Sequence, residues 1–108
     1  MNRKFLVVML VAGLFALAMP AMADAGPDAG AIYKSKCAMC HGPDGAGQTT
    51  MGKNLKLRDL RSAEVQKLTD AELTKMIADG KGKMPAYKSK LSTVEISSLV
   101  ELIRKMKK

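Results

Sequence analysis

Cys37-Ala38-Met39-Cys40-His41 gathers both cysteines and the single histidine of this 108-residue chain into five positions. Two thiols one helical turn apart can each form a thioether with a porphyrin vinyl group, and the imidazole that follows then sits under the iron. A Cys-x-x-Cys-His run therefore reads as an attachment site for c-type haem. Other uses of these residues are less well supported. A dithiol redox pair expects a βαβ setting, and no segment nearby alternates as a strand would. A Cys2His2 zinc site would need a second imidazole. A structural disulfide stays open as the plain alternative, but a histidine directly after Cys40 and an export signal both favour haem.

Iron that only exchanges electrons keeps both axial positions filled, and methionine in the sixth position does this while raising the potential. Beyond residue 23 the methionines are Met39, Met51, Met76, Met84 and Met106. Met39 lies inside the attachment run, on the His41 side. Met76 and Met106 fall on apolar helical stripes and read as core. Met51, in a loop, is the rival to Met84, which is preceded by Gly80 and Gly82 and stiffened by Pro85. The expected site is thus Cys37, Cys40, His41 and Met84, with His41 and Met84 on the metal and one haem c tethered through Cys37 and Cys40.

The elements that must position these residues are helical. Pro27 and a candidate cap at Asp28 predict a helix over Ala29 to about Cys37, with Gly30, Tyr33, Cys37 and Cys40 on one stripe. Gly42 to Gly47 is turn-rich, suited to carrying the backbone around a porphyrin edge. Residues 48–56 read as an irregular loop. Leu57, Leu60 and Val65 are core candidates beside a short helical turn starting near Ser62. Thr69-Asp70-Ala71-Glu72 and Ser92-Thr93-Val94-Glu95 are capping boxes, with Leu68/Leu73 and Leu91/Ile96 as staples. The first opens a helix that runs to Asp79, stops at Gly80 and buries Leu73, Met76 and Ile77. The second opens a helix with Ile96, Leu99, Val100, Ile103 and Met106 on one face. No convincing period-two alternation appears, so the fold class is all-α.

Arg3 and Lys4, the apolar run Phe5–Ala18 and the small-x-small pattern Ala21-Met22-Ala23 predict a signal peptide over residues 1–23, cleaved near Ala23, with one domain over 24–108. An uncleaved anchor is the competing reading, but Pro20 and the cleavage pattern fit processing better. Export to an oxidising periplasm would turn a bare dithiol into a disulfide, whereas thioethers to haem are not reducible. The whole chain carries a formal charge of +8, and sixteen basic against ten acidic residues remain after the leader. With few aromatics and no tryptophan, a domain this small needs something extra to bury. Nucleic acid is not an expected partner, because no aromatics are interleaved with the basic residues.

Cys37-x-x-Cys40-His41-Gly42, the Asp44-Gly45-x-Gly47 turn, the loop Gly80-Lys81-Gly82-Lys83-Met84-Pro85-Ala86-Tyr87 and the closing amphipathic helix together resemble a small bacterial class I cytochrome c. The resemblance covers nearly the whole chain beyond the leader. It implies that the first and last helices cross around a small residue and Tyr33, and that Met84 ligates iron opposite His41. The family's small residue stands eight positions before the first cysteine, here Ala29, with Gly30 next to it. Longer members supply a proline carbonyl to the histidine Nδ1 proton, and between Asp44 and Met84 this chain has no proline. Tyr87 and Arg58 are candidate propionate partners.

The leading function is a soluble periplasmic one-electron carrier, a monomer rather than an enzyme, that meets the membrane only by transient docking. Lys81, Lys83, Lys88 and Lys90 flank the Met84 loop as a collar for redox partners with an acidic docking face. The alternative is a haem enzyme or gas-binding module with an open sixth iron position, peroxidase-like in character.

Overall fold

The computed structural model describes residues 26–108, and the leader expected over residues 1–23 lies outside the described residues. Six helices follow in order: α1 Ala29–Lys36, α2 Ala38–His41, α3 Thr50–Asn54, α4 Ala63–Gln66, α5 Asp70–Asp79 and α6 Thr93–Lys105. Among the described residues there is no strand, only an isolated antiparallel bridge between Lys81 and Met84. The all-α expectation holds.

Side-chain caps set where the helices start. Asp28 accepts from Ala31 N, Thr49 from Gly52 N, Ser62 from Val65 N and Thr69 from Glu72 N, each satisfying a donor that the first turn leaves free. At Ser92 the full reciprocal box forms, with Glu95 Oε1 accepting from Ser92 N at 2.9 Å. The box expected at Thr69 forms by half, since only the threonine side chain caps.

Residues 48–56 depart from the irregular loop that was expected. Thr49 caps α3 there, and the helix is short enough that its one turn leaves no hydrophobic periodicity to read. Its end is also unusual. Leu57 N donates back to Gly52 O at 2.9 Å, and Lys56 takes a left-handed φ of +53°. That is the arrangement of a helix C-terminus that ordinarily ends on glycine.

The core forms where α1 and α5 pack on α6. Tyr33, Val65, Leu73, Ile77, Leu91, Ile96, Leu99, Val100 and Ile103 form one buried cluster, each large apolar member contributing about 1.5–3 kcal/mol by leaving water. Ala29 packs against this cluster, while Gly30 is exposed and a Cβ there would meet only the Asp28 carboxylate, at 3.4 Å. The small residue facing the core is therefore Ala29. Gly30 belongs to the helix start, so the stripe expected through Gly30 shifts one residue. Polar stitching closes the far end of the bundle. Gln66 Nε2 donates to Leu60 O at 2.8 Å and Ile103 O at 2.9 Å, and Arg104 reaches Gln66 O, Leu68 O and Asp70 Oδ1.

Candidate functional site

Helix α1 ends at Lys36, and the chain turns at Cys37 to begin α2, so both thiols and the imidazole sit on one short helical segment. The hydroxyl of Thr49 donates to Cys40 O at 2.7 Å and accepts from Gly52 N at 2.8 Å, holding α3 against α2. Contact is so close that a Cβ on Gly52 would stand 2.6 Å from Cys40 O, and only glycine fits. Tyr33 donates its hydroxyl to Gly42 O at 2.6 Å, fixing the backbone just past His41 to α1.

On the other side, α5 stops at Gly80, whose N–H bonds Met76 O at φ +73°. Lys81 and Met84 then exchange backbone hydrogen bonds, Lys81 N to Met84 O at 3.2 Å and Met84 N to Lys81 O at 3.0 Å. A Cβ on Gly80 would collide with Met84 O and the following peptide. The methionine loop is thus a closed turn with a fixed backbone, in place of a slack connection.

Both halves open onto the same space. A cavity of about 440 Å³ is bordered by Cys37, Cys40, His41, Leu57, Met84 and Tyr87. An adjoining inner cavity of about 290 Å³ shares Cys37, His41, Leu57, Met84 and Tyr87 and runs in against Leu73 and Leu99. Two thiols, an imidazole and a thioether converge on a hollow with apolar side chains on its inner wall and lysines at its outer rim. Cys37 and Cys40 are both free. Burial pushes the Cys37 thiol up, with Lys36 opposing and Cys40 adding to the shift, and burial pulls His41 below its ordinary value. A neutral imidazole keeps its lone pair available to a metal. His41 Nδ1 is buried and has no hydrogen-bond partner among the described residues, in line with the missing proline. The donor set and the shape of the hollow fit a haem: sulfur for two thioethers, nitrogen and sulfur for axial bonds, and apolar walls between them.

The other methionines take separate places. Met39 is 78% exposed and Met51, on α3, is 45% exposed, and neither borders either cavity. Met106 packs against the core as expected. Met76 is half-buried and lines the inner cavity, which corrects its reading as a core residue. Helix α5 turns that position toward the hollow, and the sequence cannot distinguish a packed neighbour from a cavity wall. Leu57 is half-buried for the same reason, whereas Val65 is fully in the core and Leu60 packs against it.

The lysine collar is also rearranged. Lys36, Lys56, Lys81 and Lys83 border the outer cavity, and none forms an ion pair among the described residues. Lys88 instead pairs with Asp79 at 3.6 Å, and Lys90 sits 5.8 Å from the Tyr87 ring centroid. Lys36 and Lys56 were missed because they are distant in sequence from the Met84 loop and only the fold brings them to its rim. Tyr87 spends its hydroxyl on Lys36 O at 3.1 Å, and Arg58 lies 3.5 Å from Glu64 while bordering the inner cavity.

The family described as cytochrome C oxidase, cbb3-type, subunit III matches residues 24–103. A cytochrome c6-like protein of Nostoc sp. (strain PCC 7120 / SAG 25.82 / UTEX 2576) is 33% identical over 104 residues, 94% of this chain and 91% of that protein. Cytochrome c6 of Leptolyngbya boryana is 36% identical over 70 residues, 65% of this chain and 79% of that protein. Among solved structures, the KustC0563 c-type cytochrome superposes with a TM-score of 0.71 at 34% identity, covering 76% of this chain and all of that one.

Proposed function

Because the chain belongs to the cytochrome c family, as a small class I member carrying covalently bound haem c for electron transfer, we propose that it is a periplasmic one-electron carrier with His41/Met84 ligation. The observation that carries this reading is the convergence of Cys37, His41 and Met84 on the same two cavities. Haem, when bound, supplies the one-electron couple; the chain supplies everything that makes the couple usable. Cys37 and Cys40 would tether a single haem, so that the group could not be lost on docking. His41, whose pKa burial lowers, and Met84, held on its closed turn, would both hold the iron, leaving no place there for a substrate. Leu57, Leu73 and Leu99 keep water from the inner side, which limits solvent reorganisation and favours the less charged state.

Lys36, Lys56, Lys81 and Lys83 surround the open side and steer an acidic face of a redox partner toward it. The rate of electron exchange with a small acidic redox protein should fall as salt rises, because screening weakens attraction between unlike charges. A rate that stays flat or climbs rejects the collar. Ligation is tested by visible spectra of mature protein. The oxidised wild type and Met51→Ala should show the weak sulfur-to-iron band at the red end, and Met84→Ala should lose it. Rapid carbon monoxide binding by the reduced wild type would favour a gas-binding or peroxidase-like module with an open iron position.

A further inference from the structure

Among the described residues, Tyr87 links the segment that carries Met84 to the segment that carries Cys37 by a side-chain hydrogen bond. It follows Met84 by three positions, and its hydroxyl donates to the carbonyl of Lys36 at 3.1 Å, across 51 residues of chain. Lys36 is the last residue of α1, where helix carbonyls lack intrahelical donors, and the next residue is Cys37. Four further backbone bonds hold Tyr87 in place. Its N–H is shared between Ile77 O at 3.0 Å and Ala78 O at 3.1 Å at the end of α5, and its own carbonyl accepts from Lys90 N at 2.9 Å and Leu91 N at 2.8 Å. The ring borders both cavities, and Lys90 covers it from outside. Burial raises the phenol above its ordinary value, so it remains a donor at neutral pH.

We propose that Tyr87 is a positioning residue for the axial methionine: a strut that sets how far the Met84 turn stands from the Cys37–His41 segment. The inference rests on Met84 being the sixth ligand. Without the strut, the turn keeps its internal bonds to Lys81 but loses its tie to α1. Met84 then yields more readily to an external ligand. Such an effect appears as competition at the iron and is distinct from general loss of stability.

Imidazole, titrated into the oxidised mature protein, is the probe. Tyr87→Phe keeps the ring and removes only the hydroxyl. It should retain the red-end sulfur band yet bind imidazole about five- to tenfold more tightly, the ordinary net worth of one hydrogen bond. Ser92→Ala is the control. It removes the side-chain cap from Glu95 N at the start of α6, where neither residue borders either cavity, and should lower the melting temperature without changing imidazole affinity. Equal imidazole affinity in Tyr87→Phe and wild type would overturn the strut, as would an equal gain in Ser92→Ala. Should Tyr87→Phe fail to mature, Lys90→Ala, which uncovers the ring but leaves the hydroxyl bond, must bind imidazole as wild type does. A rise there overturns the assignment to the hydroxyl. A sulfur band that survives in Met84→Ala would instead refute the ligation reading, a failure distinguishable from that of the strut.

Discussion

Tyr33 shows how a single hydroxyl ties the attachment segment into the fold. It is 5% exposed, donates to Gly42 O at 2.6 Å, and has its pKa pushed up from 10.0 to about 12, mainly by burial, with Cys37 and Asp44 adding to the shift. In mature protein Cys37 is a thioether on our reading and carries no charge, so burial and the Asp44 carboxylate remain. The folded state thus holds the phenolic proton more tightly than the unfolded chain does. That contribution to stability is complete below about pH 10 and is lost as pH rises from there through the raised folded-state value. Tyr33→Phe should be less stable than wild type at neutral pH, having lost a buried hydrogen bond and left Gly42 O with only the longer bond from Gly45 N, at 3.2 Å. It should also show a shallower fall in stability between those two pH values. Thermal melts across the alkaline range check this; a parallel fall in both proteins would show that Tyr33 does not titrate with unfolding.

Among the elements, α3 is the informative case. Lys56 occupies the left-handed position at its end, where a side chain costs roughly 1 kcal/mol relative to glycine. Lys56→Gly should therefore stabilise the mature protein by about 0.5–1 kcal/mol, a rise of a few degrees in melting temperature. Denaturant unfolding would measure it, and a loss of stability would mean that the lysine stem contributes more by packing than its backbone costs. Helices α1, α5 and α6 were legible in the sequence because their caps and apolar stripes are local: Asp28, Thr69 and Ser92 all cap where their residue types predict. Helix α3 was not, since five residues cannot display a helical period and Thr49 caps without an acidic partner. The Cys37–His41 run stands out in the sequence for the opposite reason, because the attachment chemistry proposed for it needs fixed residue types at fixed spacing. Lys36 and Lys56 at the rim, Met76 on the inner wall and the bond from Tyr87 to Lys36 depend on how distant segments meet, which no local pattern records.

At the scale of the whole molecule, the cavity is the main constraint on stability. The core cluster lines one side of the inner hollow of about 290 Å³, which adjoins the outer one of about 440 Å³, and a chain this small has few residues left with which to close them. Lining residues facing an unfilled space forfeit their contacts at about 24 cal/mol per Å³ of residual cavity. Even partial retention of such a hollow would consume much of the 5–15 kcal/mol that native domains of any size have in hand. Haem contributes the missing apolar body, and on our reading thioethers to Cys37 and Cys40 make that contribution permanent. Replacing both cysteines, Cys37→Ala with Cys40→Ala, should accordingly cost the compact state as well as the colour. Small-angle scattering on the exported double variant should then give a radius of gyration well above the ~12 Å expected of a compact domain of this length, moving toward the ~28 Å of an unfolded chain. Helical circular dichroism should fall with it, and added free haem should restore part of both signals, because on the proposed ligation His41 and Met84 would still bind iron without the tethers. A colourless double variant that stays compact and cooperatively folded would show that side chains alone fill the hollow, and that the protein does not depend on its cofactor for a core.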